Sequence, residues 1–199
     1  MKLVYKFYDV DNHQAISDEV YNYVVNHSNI LTSSRPAFFN DVSVPGMLTH
    51  TPMLVDFLQQ SSLVPEKIAV VVVTPGEKSE LHVDTIDPYV RLLWPVKNCA
   101  GARTKFYDIP RECLNLEYNI LGSSSIYYTI TEKRKWASLG EIELTQPVIF
   151  DASVAHKVFT APGATEHRIS FTMGFDRDLA ISKSVKSWFG FQRWTTHNL

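Results

Sequence analysis

His82-Val83-Asp84 is the point in this sequence where residue type and spacing come closest to specifying chemistry. In an extended strand the side chains at i and i+2 leave the same face, so an imidazole and a carboxylate converge there while Val83 points away. One histidine and one carboxylate are two-thirds of the 2-His-1-carboxylate set that holds non-haem Fe(II) with open coordination positions. The pair alone is weak evidence: the chain has seven histidines and 21 acidic residues, and a His-x-Asp pair is common on any surface. The third ligand has to come from elsewhere.

His156 supplies it best. It opens a β-rich run, after which the chain turns near Pro162-Gly163 and returns through Arg168-Ile169-Ser170-Phe171. A hairpin centred on Pro162 sets His156 opposite Arg168 and Val154 opposite Ser170. Opposed side chains lie about 5 Å apart on one face. Along the returning strand, Arg168, Ser170, Thr172 and Gly174 share one face, and Ile169, Phe171, Met173 and Phe175 the other. The second face is an apolar packing surface. The first is either solvated or lines a pocket for an anion, since a buried guanidinium and hydroxyls need partners. His167 is a rival third ligand, with Arg177 ten residues beyond it, but it falls on the apolar face of its strand. Arg91, nine residues after His82, shares a face with Tyr89 and Leu93, and is either a site residue or an outward-facing ion-pair former.

Taken together, His82-x-Asp84, His156 and Arg168-x-Ser170 resemble the signature of Fe(II)/2-oxoglutarate-dependent oxygenases, over about Ala69 to Phe175. The resemblance implies a double-stranded β-helix, a jelly roll of the cupin kind. It implies iron held by His82, Asp84 and His156, and 2-oxoglutarate held through its far carboxylate by Arg168 and Ser170. O2 is the implied oxidant, and the implied reaction couples oxidative decarboxylation of 2-oxoglutarate to oxidation of a substrate C–H bond, with hydroxylation the default. The stretch Asn98 to Phe106 is similar to the Gly-x-Thr-x-Phe strand of the prolyl-hydroxylase-like branch, without that branch's double glycine. Arg91, Tyr89 and Thr104 are further candidates for contact with cofactor or substrate. Two rival readings keep the fold: a cupin-like metalloprotein with other chemistry, and a non-catalytic jelly-roll interaction protein. Arg168-x-Ser170 favours the oxygenase, because neither rival needs a dicarboxylate clamp.

The elements that must position these residues follow an uneven order. Apolar residues recur at helical spacing from His13 to His27, and Thr51-Pro52 starts a second helix with Met53, Leu54, Phe57 and Leu58 on one face. Between them, Ser33 to Leu48 reads as irregular. From Lys67 onward the chain is a series of β-rich runs: Ile68–Val73, Tyr89–Val96, Thr104–Tyr107, Ile126–Thr131, Gly140–Leu144, Pro147–Phe150, His156–Phe159 and His167–Phe175. Helices followed by about eight strands predict a mainly β fold, an antiparallel barrel or jelly roll buttressed by N-terminal helices. The expected organisation is one domain over 1–199, with a helical buttress over 1–66, the catalytic core over 67–176 and a C-terminal extension over 177–199.

Composition sets the outer bounds. The 199 residues are 45% hydrophobic and 20% charged, enough apolar material for a core and too much for disorder. Nineteen basic against 21 acidic residues leave a net charge of -2, which argues against nucleic acid as partner. Within the tail, Ile181 to Leu199, the stretch from Lys183 to Trp194 mixes cations with aromatics, which could stack on bases or peptides but more often packs its aromatics against the domain. Two cysteines are too few for a disulfide framework, and no secretory leader or membrane span is apparent. The expectation is a soluble, cytoplasmic protein acting on a small-molecule or peptide substrate.

Overall fold

The apolar stripe of α1 (His13–His27) is made by Ile16, Val20, Tyr23 and Val24, all buried. They pack with Leu54 and Leu58 of α3 (Pro52–Gln60) against one face of a β-sheet. A computed structural model describes residues 4–27, 37–85, 89–114, 116–121, 125–130 and 134–175. The tail from 176 onward, Arg177 included, and the segments 33–36 and 86–88 lie outside the described residues.

Twelve strands are present among the described residues. They are β1 (Tyr5–Phe7), β2 (Ala37–Val42), β3 (Pro65–Val73), β4 (His82–Val83), β5 (Val90–Lys97), β6 (Arg103–Asp108), β7 (Leu116–Leu121), β8 (Ser125–Ile130), β9 (Ala137–Glu143), β10 (Val148–Asp151), β11 (His156–Phe159) and β12 (Arg168–Phe175). One sheet has the order β1-β10-β5-β12-β3-β2, and the other β7-β8-β4-β11-β6-β9. From β3 to β6 and again from β9 to β12, successive strands alternate between the two sheets, with the β7–β8 hairpin inserted between those halves. This is the double-stranded β-helix of a jelly roll, mainly β with N-terminal helices.

The first sheet is covered on its outer face by the helices. Ile169, Phe171, Met173 and Phe175 of β12, with Ile68, Val70 and Val72 of β3 and Trp94 of β5, form one core with α1, α3 and Met47 of α2 (Val44–Thr49). Trp94 ties α1 down by donating from Nε1 to Ser17 Oγ at 3.1 Å, and Ser17 donates in turn to the Pro95 carbonyl at 2.6 Å. Glu19 of α1 accepts from the Met53 and Leu54 amides at 3.0 and 3.1 Å, satisfying donors in the first turn of α3. A second core, with Leu93, Phe106, Ile142, Val148 and Phe150, fills the space between the sheets.

The structure departs from the sequence expectations in three places. The hairpin about Pro162 is absent: His156 pairs with His82 and Phe106, and Arg168 pairs with Val73, so β11 and β12 lie in different sheets. A turn signal marks where the chain bends, whereas the jelly-roll winding decides which sheet it joins next. Second, the segment read as irregular contains β2 and α2; Pro45 sits in the first turn of α2, and Ser43 caps it by accepting from the Gly46 amide at 3.2 Å. Third, the described strands number twelve: β1, β7 and the two-residue β4 that carries His82 also lie outside the eight runs, and β1 and β2 close the two edges of the helix-covered sheet.

Candidate metal centre

His82 and Asp84 arrive together, although only His82 and Val83 are strand. Asp84 lies just beyond β4, where its amide donates to the Ala152 carbonyl at 3.0 Å. That bond ties the end of β4 to the turn Asp151–Val154, which leads directly into His156 at the head of β11. The register His156↔His82 completes the convergence. Asp84 Oδ1 is 3.5 Å from His82 Nε2 and 4.0 Å from His156 Nε2, and the two imidazole centroids are 4.3 Å apart. Among the described residues these three form the one cluster of histidine, cysteine and acidic side chains with metal-ligand spacing, their ligand atoms within 4.8 Å of one another.

Both imidazoles are oriented by local backbone. His82 Nδ1 lies 2.8 Å from the Glu80 carbonyl, and His156 Nδ1 lies 2.9 Å from that of Val154. A carbonyl only accepts, so each Nδ1 carries a proton and each Nε2 faces the carboxylate. Burial pushes the His156 pKa down to about 4, helped by His82 and opposed by Asp84 and the Val154 carbonyl, so the ring is neutral near pH 7. Burial also acts on Asp84, raising its pKa. Arg91 above all, with lesser help from the two imidazoles and Lys67, outweighs burial, and the carboxyl stays below its ordinary range. Arg91 Nη1 is 3.5 Å from Asp84 Oδ2. Two imidazole Nε2 atoms and an ionised carboxylate oxygen are the donor set that a divalent cation of intermediate softness requires. The rings of Phe106 and Phe150 close in on His156, at 6.0 and 5.3 Å between centroids, and keep that side dry.

Arg168, Ser170 and Thr172 project from β12 toward the same interior. Continuous pairing with β3 keeps them on one face with Gly174, which is itself opposite Arg91 of β5. Their relative exposures are 2%, 0% and 4%. On β6, Thr104 shares the inward face of Phe106 and His156, through the register Thr104↔Val158 and Phe106↔His156. Arg168 Nε, Ser170 Oγ, Thr172 Oγ1 and Thr104 Oγ1 are buried without a hydrogen-bond partner. An unmet buried polar atom costs about 1–3 kcal/mol, more beside a charge. Four of them facing one interior mark a place built for a polar guest.

Every site residue named from the sequence except Arg177 is thus placed. His82, Asp84 and His156 come together; Arg168, Ser170 and Thr104 face the space between the sheets; Arg91 and Tyr89 stand beside Asp84 and Gly174. His167, expected on the apolar face of its strand, lies just ahead of β12 and outside the cluster. Lys67 escaped notice because the β3 run was read from Ile68, one residue too late to include it. The two carbonyls that orient the imidazoles carry no side-chain signal at all.

No model of a known protein family matches this sequence, and no curated protein sequence matches it. Among solved structures, a Pseudomonas putida prolyl-4-hydroxylase is similar over 86% of this chain and 91% of its own, at 14% identity and a TM-score of 0.46. The epimerase SnoN, solved in complex with Fe3+, alpha-ketoglutarate and nogalamycin RO, is similar over 79% of this chain and 73% of its own, at 12% identity and a TM-score of 0.45.

Proposed function

We propose that the protein is an Fe(II)- and 2-oxoglutarate-dependent dioxygenase, in the first place a hydroxylase. The observation that carries this reading is the coexistence, in one interior, of a two-histidine, one-carboxylate cluster and a buried arginine with unpaired hydroxyls beside it. A cluster alone would suit many metalloproteins. An unmet guanidinium Nε with Ser170 and Thr104 hydroxyls suits a carboxylate, which accepts from all three.

His82, Asp84 and His156 would hold the iron on one face, leaving positions for cofactor and oxidant. When bound, Fe(II) would let O2 act as the oxidant, taking two electrons from 2-oxoglutarate as it is converted to succinate and CO2 and two from a substrate C–H bond. The chain's own work is positional. The Glu80 and Val154 carbonyls keep the protons on Nδ1 and so keep both Nε2 lone pairs pointing at the metal position. Arg91 keeps Asp84 ionised and fixes its second oxygen. Phe106 and Phe150 exclude water behind His156. Arg168 and Ser170, with Thr104 from the facing sheet, give the far carboxylate of 2-oxoglutarate a charge-matched seat. The substrate is a small molecule or peptide.

Thermal unfolding tests the reading through linkage, since a ligand bound only by the folded state raises Tm. Under anaerobic conditions 2-oxoglutarate should raise the Tm of the Fe(II)-loaded wild type and leave that of Asp84→Ala unchanged. A wild type whose Tm ignores 2-oxoglutarate would return the protein to the cupin-like or non-catalytic readings.

A further inference from the structure

One short turn serves two of the three cluster residues. Asp151-Ala152-Ser153-Val154 leads from the end of β10 toward β11. The Ala152 carbonyl accepts from the Asp84 amide at 3.0 Å, and the Val154 carbonyl lies 2.9 Å from His156 Nδ1. Asp84 and His156 come from different strands, yet both are set against this turn. His82 is oriented separately, by the Glu80 carbonyl 2.8 Å from its Nδ1.

Asp151 closes the turn twice. Its carbonyl accepts from the Val154 amide at 3.1 Å, and its Oδ1 accepts from the Ser153 amide at 3.0 Å and from Ser153 Oγ at 2.6 Å. An aspartate bonded to the backbone two residues on is a local turn former. At 2.6 Å the bond from the hydroxyl belongs to the short, charge-assisted class, which is stronger than a neutral one. The turn is also anchored from outside, by the Asp151 amide on the Val4 carbonyl at 3.0 Å and the Ala152 amide on the Tyr89 carbonyl at 2.7 Å. Asp151 is 5% exposed, and among the described residues no cation stands within ion-pair distance of it. Burying a carboxylate without a counter-ion opposes folding. In return the turn is stiffened at the point where the Ala152 and Val154 carbonyls set Asp84 against His156.

We infer that Asp151 and Ser153 are positioning residues for the metal centre: by locking the turn they fix Asp84 and His156 relative to each other before a metal arrives. The inference rests on the metal half of the dioxygenase reading and deepens it, adding two residues that act through the ligands.

The test uses the full chain titrated with Co(II), with affinity read by visible absorption and the imidazole Nδ1–H protons by paramagnetic NMR. Asp151→Ala should weaken Co(II) by roughly 10- to 100-fold, the range for groups that orient metal ligands, and Ser153→Ala by roughly threefold. Asp151→Asn keeps an acceptor oxygen without the charge and should fall between wild type and Asp151→Ala. In both alanine variants the His156 Nδ1–H should exchange with solvent faster, while that of His82 keeps its wild-type rate. Phe171→Ala, which lowers stability away from the turn, should change neither exchange rate nor the Co(II) affinity of its folded fraction. Ser153→Ala carries the same test should Asp151→Ala fail to fold. Alanine variants that bind Co(II) as wild type does, equal changes at both imidazoles, or an Asp151→Asn no better than Asp151→Ala would overturn the positioning role and leave the dioxygenase reading standing. A wild type that takes up no Co(II) would overturn both.

Discussion

The two faces of β12 are buried to the same degree and behave as opposites. On the outer face Ile169, Phe171, Met173 and Phe175 are 0–5% exposed and packed against the helices. On the inner face Arg168, Ser170 and Thr172 are 0–4% exposed, with polar atoms that meet no partner. One strand therefore holds the fold together with one set of side chains and opposes folding with the alternate set. A face that is costly to bury and is nevertheless buried is explained by what it binds.

The largest effect that can break this contrast is on the outer face. Phe171→Ala removes a fully buried ring stacked on Trp94 and should destabilise by about 3–5 kcal/mol, read by chemical denaturation. The fraction that remains folded should bind metal as wild type does. Should the variant lose less than about 1 kcal/mol, the outer face would not be the structural one.

The next effect is on pH and belongs to the inner side alone. His156 titrates near pH 4 when folded and near its ordinary 6.5 when unfolded. Above about 6.5 both states are neutral and the full contribution is present. As pH falls toward 4 the unfolded chain takes up a proton that the folded protein refuses, so stability drops. The metal-free protein should lose on the order of 3 kcal/mol across that window from this group, and His156→Gln should flatten the profile. Asp84, with its lowered pKa, adds a loss in the same direction at still lower pH. Phe171→Ala should shift the curve down without changing its shape.

Arg168→Met comes third. It should weaken 2-oxoglutarate about 10- to 100-fold while the metal stays bound, measured by calorimetric titration of the metal-loaded protein. The ligand-free variant should be as stable as wild type or more so, because a buried charge with an unmet donor is removed. Marked destabilisation would make Arg168 a structural residue and sink the contrast. The smallest effect is that of Thr104→Val, expected to lower 2-oxoglutarate affinity a few-fold and to leave the stability of the ligand-free protein unchanged or slightly higher.

Much of the site could be read from period and spacing. His82-x-Asp84 and the alternation Arg168, Ser170, Thr172 state which side chains share a face, and a face survives whichever strand pairs with it. Strand partners were not legible. The Pro162-Gly163 turn suggests a hairpin, but the pairing His156↔Phe106 and Arg168↔Val73 depends on contacts some fifty and ninety-five residues away, which no local pattern encodes. The error did no harm to the site, because strands in facing sheets can point into one interior as well as strands in one sheet can. The helices α1 and α3 showed plainly through their apolar stripes. The short α2 and the edge strand β1 did not, since six and three residues give too few periods to read. Thr104 was visible only as part of a strand motif; its unmet hydroxyl appears once β6 is paired with β11.

The central claim is that the inner face of β12 and the His82–Asp84–His156 cluster bind one ligand between them. Anaerobic titration of the Fe(II)-loaded protein with 2-oxoglutarate, followed by visible absorption, tests it most directly. A saturable metal-to-ligand charge-transfer band should grow in, and in Arg168→Met it should need far more 2-oxoglutarate to reach the same amplitude. Iron that stays bound while 2-oxoglutarate produces no band in the wild type would contradict the account.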